Sequence, residues 1–155
     1  MKKTVLRFLA AFALLGAAAG GAQAAACLVV TVAPIFAGYS GTTITSTGTI
    51  TVTCTQLVFA QDVYYRIHFN YGANGTGTQR RMKSGNNYLN YNYTCPQNPA
   101  KVLGDGTGNT CEFTGGQANF MGVLITPHSV TGTIPGGQSV QPGIYGDSVT
   151  ATVLY

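Results

Sequence analysis

The fold of this chain is decided by the stretch Gly143-Ile144-Tyr145-Gly146-Asp147-Ser148-Val149-Thr150-Ala151-Thr152-Val153-Leu154-Tyr155. From residue 149 onward apolar and polar side chains alternate, so that Val149, Ala151, Val153 and Tyr155 share one face. Period-two alternation with β-branched residues predicts a half-buried strand. The apolar face of such a strand must be covered, and an unpaired edge beside it is a template for pairing with another chain. The pattern therefore raises the expectation of an edge that a second molecule can use.

The first 24 residues have the pattern of a secretory signal peptide. Three basic residues lie within the first seven, an apolar stretch covers 8–19, and Ala22-Gln23-Ala24 is an A-x-A cleavage site. We expect cleavage between Ala24 and Ala25, which leaves residues 25–155 as one domain with no membrane span. A membrane anchor is the alternative, but the apolar run is shorter than the roughly 20 residues that a span needs.

Charges are few in residues 25–155. Five basic residues stand against four acidic ones, so the net charge falls from +4 for the whole chain to +1. The high pI is therefore a property of the leader and does not indicate nucleic-acid binding. Gly, Thr, Asn and Tyr are abundant, and no amphipathic helix pattern is present. Because Thr and Tyr favour strands while Gly and Asn favour turns, we expect an all-β domain outside the cytoplasm.

Alternation predicts some seven strands separated by turns, as in an antiparallel sandwich. The clearest is the segment 62–71, in which Val63 and Ile67 face inward while His68 faces solvent. The predicted strands cover 27–32, 49–54, 62–71, 88–95, 119–126 and 149–155, with a short segment at 80–83.

All four cysteines, Cys27, Cys54, Cys95 and Cys111, lie outside the predicted signal peptide. An exported chain meets an oxidising compartment, so two disulfides are expected. Of the three pairings, we expect the sequence-local ones, Cys27–Cys54 and Cys95–Cys111, each worth about 3–4 kcal/mol on the chain-entropy model. A zinc site is the alternative, but no C-x-x-C motif or histidine at ligand spacing supports it. A lipid anchor at Cys27 lacks the usual large aliphatic residue three positions earlier.

Residues that carry catalysis are sparse, since residues 25–155 contain four acids and two histidines. No nucleophile elbow, zinc-protease motif or P-loop is present. The Gly-rich run 104–108 opens no helix and is interpreted as a surface turn. His68 is expected in solvent, and His128 in a loop after Pro127. We therefore expect no enzyme activity, no cofactor and no metal.

A second possible role is the binding of a small ligand or a sugar. Arg80, Arg81 and Lys83 form a basic cluster, and Tyr88 begins a tyrosine-rich segment that could stack on sugar rings. The simpler interpretation is that the three charges protect an edge strand from aggregation. Alternation turns the other two tyrosines of that segment, at 91 and 93, toward the core.

Six separated motifs along residues 27–155 carry a family resemblance. They are Cys27 followed by Pro34, Phe36 and Gly38-Tyr39; Gly48-Thr49-Ile50-Thr51-Val52-Thr53-Cys54; Arg80-Arg81-Met82; Leu89-x-Tyr91-Asn92; Gly104-Asp105-Gly106-Thr107-Gly108; and Gly143-x-Tyr145-x-Asp147, which leads into the C-terminal alternation. Each is weak by itself. Their order and spacing together resemble the spore coat protein U domain family, which includes secreted pilins of the archaic, Csu-type chaperone–usher pathway.

The resemblance implies an incomplete immunoglobulin-like antiparallel β-sandwich whose final strand comes from another molecule. The implied partners are a periplasmic chaperone, which fills the open groove first, an outer-membrane usher, and neighbouring pilin subunits, which replace the chaperone. The edge of the groove would lie at Val149, Ala151, Val153 and Tyr155. The family pairing of the first two cysteines agrees with Cys27–Cys54. The implied location is the periplasm in transit and then an extracellular fibre.

Donor pilins of this family carry, ahead of the first cysteine, an N-terminal extension in which apolar and polar residues alternate. In this chain only Ala25-Ala26 precedes Cys27 after the predicted cleavage. Two extended residues span about 7 Å, which is too short to line a groove. We therefore expect a non-catalytic structural or adhesive subunit that accepts a donor strand without giving one, at the tip of a fibre. A spore or cell-envelope coat protein that does not polymerise by strand exchange is the alternative.

Overall fold

The computed structural model describes residues 25–36 and 38–155, so the predicted signal peptide, 1–24, lies outside the described residues. Within the described part the chain forms eight strands and no helix. Their bounds are β1 Ala26–Val32, β2 Ile44–Phe69, β3 Arg80–Ser84, β4 Asn87–Cys95, β5 Asn98–Leu103, β6 Thr110–Cys111, β7 Phe113–Ile134 and β8 Ala151–Leu154.

The two long strands β2 and β7 pair antiparallel along most of their lengths and organise the domain. Both bend back on themselves. The rings of Phe113 and His128, which belong to the same strand β7, stack with their centroids 4.8 Å apart. A straight strand would separate these two positions by roughly 50 Å. The two halves of each long strand therefore lie in facing layers, with the core between them.

The bend coincides with a break in the register of β2 between Gln56 and Val63. Before the break the buried residues are even-numbered (Ile50, Val52), and after it they are odd-numbered (Tyr65, Ile67). Side chains alternate strictly along a regular strand, so a switch from even-numbered to odd-numbered residues facing the core requires a bulge. The sequence pattern predicted both halves correctly as separate strands, and the bulge joins them into one.

Polar contacts and an unusual backbone hold the bend. The buried amide of Gln56 donates to the carbonyl of Phe59 at 2.9 Å, so this polar group is satisfied. The carboxylate of Asp62 accepts from the backbone N–H of Asn119 at 2.9 Å. Opposite, Gly116 has φ +133°, and a side chain there would meet the carbonyl of Val63. Glycine is therefore required at this point of β7.

The other strands extend the two layers. β1 pairs with the first half of β2, β4 pairs with the end of β7, and β8 pairs with the last residues of β2. β3 and β5 both pair with β4, and β6 joins β5 in parallel. The result is the expected all-β, immunoglobulin-like fold, antiparallel except for the short β5–β6 pair.

Both predicted disulfides are confirmed. Cys27 and Cys54 are directly opposed in the β1–β2 ladder and are bonded to each other. Cys95 and Cys111 join the end of β4 to β6. The first bond therefore fixes an edge strand to the central strand, and the second closes the loop that contains β5.

One predicted strand boundary and one predicted loop residue were wrong. The strand predicted at 119–126 does not end at Pro127, because β7 continues to Ile134. A proline is tolerated there because, among the described residues, β7 pairs with β4 only at Thr131–Thr133, which leaves its second edge open beside Pro127. His128 consequently lies within a strand and not in a loop.

Candidate functional site

The core of the domain is open between its two outer strands, β1 and β8. Both pair with β2, but at opposite ends of that strand, so they form the borders of the two facing layers. A cavity of about 240 Å³ lies between them. One wall comes from the end of β1 and the residues after it, and the other from Val149 and Ala151. The floor is formed by core residues, namely Ile50, Phe69, Tyr93 and Val130.

Two more cavities, of about 280 and 220 Å³, continue this opening into a cleft. The second shares Ala33, Pro34 and Tyr93 with the first, and the third shares further lining residues with the second. The wall on the β8 side runs along 143–151, and an extended segment of that length spans about 25–30 Å. A strand of about nine residues, near the upper end of the usual range of strand lengths, would match this wall.

The predicted edge residues do not all occupy the same place. Val149, Ala151 and Val153 are half-buried and pack against the core. Tyr155 is 66 % exposed, although the alternation assigned it to the same face. The physical reason is that β8 ends at Leu154, which is the last residue paired with β2, so Tyr155 lies beyond the ladder.

The backbone of the β8 wall is hydrogen-bonded to β2, to the segment after β2 and to β3. Among the described residues β8 pairs with β2 alone. Just before β8, the N–H of Asn70 donates to the carbonyl of Thr150 and the N–H of Ala73 donates to the carbonyl of Ser148, both at 3.0 Å. These bonds join the wall to the segment that follows β2, and farther along the wall Gly146 exchanges two backbone hydrogen bonds with Lys83 of β3, at 2.8 and 3.1 Å. In the described part of the chain the second edge of β8 has no strand partner, so it is available to a further strand.

A polar pair lies in the middle part of the cleft. The hydroxyl of Tyr91 donates to Asp147 at 2.8 Å, and the same carboxylate accepts from the backbone and side-chain nitrogens of Asn74 at 3.3 and 3.2 Å. Burial raises the pKa of Tyr91 well above its usual value, with smaller contributions from its neighbours, which include Asp147. Tyr91 therefore stays a neutral donor, and the rest of the cleft is mainly apolar.

Arg80 does not belong to the exposed basic cluster predicted for it, because its side chain is fully buried. Its Nε and one terminal nitrogen donate to the carbonyl of Asn70 at 3.0 and 2.6 Å, and that terminal nitrogen also donates to the carbonyl of Leu103 at 2.8 Å. The guanidinium lies 5.2 Å from the ring centre of Tyr71 and 5.0 Å from that of Tyr93. Burial lowers the pKa of Arg80 from its usual value.

Arg80 therefore ties β3 to two neighbouring segments behind the cleft wall. The sequence did contain a signal for this role. Arg80 lies two positions before the buried Met82, so the two side chains share the same face of β3. Its positive charge argued for the surface, but carbonyl acceptors and tyrosine rings offset part of the loss of water. The other terminal nitrogen of Arg80 is buried and has no hydrogen-bond partner among the described residues.

The two histidines do not converge on one site. His68 is only half-exposed and contacts Glu112 at 2.6 Å, so it is less solvated than predicted. His128 is hydrogen-bonded through Nε2 to the hydroxyl of Tyr65 at 2.8 Å, and burial lowers its pKa. In the described part of the chain no group of three or more His, Cys, Asp or Glu residues is arranged to hold a metal ion.

The Gly-rich run 104–108 is a turn. The backbone N–H and the hydroxyl of Thr107 both donate to Asp105, at 3.0 and 2.7 Å. Both bonds lower the pKa of the Asp105 carboxyl, and the bond from the hydroxyl has the larger effect. Asp105 thus serves the local geometry of the turn.

The described residues thus form an immunoglobulin-like sandwich that is open along a cleft. The chain belongs to the Spore Coat Protein U domain family, whose model matches residues 13–152. No curated protein matches the sequence significantly.

Among solved structures, the chain is similar to the CsuC–CsuE chaperone–tip adhesion subunit pre-assembly complex from the archaic chaperone-usher Csu pili of Acinetobacter baumannii. The identity is 17 % and the TM-score 0.54. The match covers 85 % of this chain but 40 % of the solved chain, so it concerns the fold of part of that chain. None of the described residues form a helix long and apolar enough to span a membrane.

Proposed function

We propose that this protein is a non-catalytic subunit of a chaperone–usher-type pilus and accepts a donor β-strand in the cleft between β1 and β8. The observation that carries the proposal is the pair of walls with an apolar floor between them; among the described residues, the strand β8 in one of these walls pairs with β2 alone. A strand that enters between the walls gains backbone hydrogen bonds at their edges and buries alternate side chains in the core. Family membership supports the same role.

The proposed partners follow from this mechanism. A periplasmic chaperone covers the cleft during export, an outer-membrane usher receives the complex, and a neighbouring pilin replaces the chaperone. The solved complex with a similar fold contains a chaperone and a tip adhesion subunit. The protein would therefore pass through the periplasm and function in a fibre at the cell surface.

The position of the subunit in the fibre is a further proposal. Ala26 is already paired with Thr55 as part of β1, and the predicted cleavage site lies only two residues before it. If cleavage follows Ala24, the subunit receives a strand without giving one and occupies the tip. Mass determination of the N-terminus in the exported protein tests this step.

An adhesive role is supported by the outer face of β1, β2 and β7. In one rung across these strands Leu28 lies beside Thr53, and Thr53 beside Ile125. Leu28 and Ile125 are 67 % and 62 % exposed, and the neighbouring rung adds the exposed Val30. This face carries apolar and hydroxyl groups without charge, which favours contact with another surface.

Binding of a free donor peptide tests the proposed function. The probe is a nine-residue peptide in which Val alternates with Thr. Ala151→Trp fills the cleft and should weaken binding more than tenfold, whereas Thr152→Trp, on the outward face next to it, should leave affinity within about threefold. Equal affinities of the two variants would contradict the assignment of the cleft. A coat protein that does not exchange strands would bind no such peptide.

A further inference from the structure

A second surface lies on the outward face of β3 and β4, away from the cleft. Along β3, Arg81 and Lys83 alternate with the buried Arg80 and Met82. The guanidinium of Arg81 lies 4.5 Å from the ring centre of Tyr88, and the ammonium of Lys83 lies 5.7 Å from it. Tyr88 is 40 % exposed. An accessible aromatic ring is thus flanked by two cations.

Three exposed or half-exposed cations in the described part of the chain lack an acidic partner. Arg66 contacts Glu112 at 3.8 Å, and one other arginine is buried. Arg81, Lys83 and Lys101 have no carboxylate within ion-pair distance among the described residues. Two of these three free cations lie on the same short strand and against the same ring, so the positive charge of the surface is concentrated there.

The three side chains offer complementary contacts. The Tyr88 ring can pack against the C–H face of a sugar ring, while Arg81 and Lys83 can bind carboxylates. The Nε of Arg81 donates to the carbonyl of Asn74 at 2.8 Å, which fixes the guanidinium and leaves its terminal nitrogens for a ligand. Asn90, which is exposed and opposite Arg81 in the ladder, supplies an amide for hydroxyl groups.

We propose that Arg81, Tyr88 and Lys83 form a binding site for an acidic polysaccharide, such as a polymer of uronic acids. A sugar polymer suits this surface better than a nucleic acid, because nucleic-acid affinity comes from neutralising several phosphates. Only two cations are present here, and residues 25–155 have a net charge of +1. The site would give a pilus subunit a ligand class, but it lies outside the cleft and does not depend on strand acceptance.

Polygalacturonate binding by the purified chain tests the assignment, with fully methyl-esterified polygalacturonate as the uncharged counterpart. We expect saturable binding of the acidic polymer that weakens with salt, and little binding of the ester. Lys83→Gln and Arg81→Gln should each weaken binding about fivefold, and Tyr88→Ala about tenfold. Lys101→Gln removes an equal charge elsewhere and should leave the affinity within about twofold.

Four results would overturn the proposal: no saturable binding by the unaltered chain, equal binding of the ester, an equal loss in Lys101→Gln and Lys83→Gln, or equally tight binding of single-stranded DNA. Lys83→Gln changes an exposed side chain and decides the matter if a Tyr88 variant does not fold. Binding of the donor peptide, measured on the same samples, reports separately on the cleft.

Discussion

Removal of the Cys27–Cys54 disulfide should destabilise the domain and loosen one wall of the cleft. The bond closes a loop with a sequence separation of 27. On the chain-entropy model such a loop corresponds to about 3.5 kcal/mol of unfolding free energy. Most small domains have only about 5–15 kcal/mol in total, so the loss should be large.

The paired substitution Cys27→Ala with Cys54→Ala avoids a free thiol and can be compared with the parent protein in urea. The chain contains no Trp, so tyrosine fluorescence reports unfolding. With a slope of about 2 kcal/mol per molar urea, the midpoint should fall by about 1.5–2 M. Donor-peptide affinity should fall as well, because β1 is tied to β2 by this bond.

The second disulfide supplies a matched control. Cys95 and Cys111 are separated by 16 residues in sequence, so their removal should cost about 3 kcal/mol on the same model. They lie away from the lining of the cleft, and peptide affinity should stay within about twofold. A loss below about 1 kcal/mol for Cys27–Cys54, or equal effects of both removals on peptide binding, would refute the reasoning.

Two further predictions concern buried polar groups. Arg80→Ala should lower the free energy of unfolding by about 3 kcal/mol, because it leaves the carbonyls of Asn70 and Leu103 without their charged donor and opens a cavity. Arg80→Met should lower it less, because the methionine side chain fills the space. Equal urea midpoints for the two variants would show that only the hydrogen bonds matter. Burial depresses the pKa of His128 below 6.5 in the folded state, so its neutral form is favoured there and the unfolded chain takes up the proton first. Stability should be highest above about pH 6.5 and fall as the pH drops through the folded pKa, and His128→Gln should flatten this part of the profile; an NMR pKa at or above 6.5 would contradict the assignment.

Strand positions and disulfides were predictable because they depend on local patterns. Alternation at Ile50, Val52, Ile67 and Val149 reflects which face each strand buries, and this survives in the structure. The joining of two predicted strands into β2 was not predictable, since the bulge near Gln56 leaves no periodic signal.

From the residues alone the cleft was predicted only as an edge at the last strand, and an open groove was implied by the family resemblance. Its other wall, after β1, depends on how β2 folds back, which is a property of tertiary structure. Arg80 was assigned to the surface by its charge, although its parity with Met82 indicated the core. His128 was misplaced because Pro127 was interpreted as a strand end, whereas the open edge of β7 accommodates it.

The most direct test of strand acceptance is thermal unfolding of the purified chain with and without the alternating Val/Thr peptide. A control peptide has the same composition with its Val residues grouped together. At one hundred times the dissociation constant, a ligand that binds only the folded state adds about 2.7 kcal/mol, which raises the midpoint by several degrees. We predict this rise for the alternating peptide and none for the control, together with protection of the β8 amides from hydrogen exchange. Equal midpoints with either peptide and without one would show that the cleft does not receive a strand.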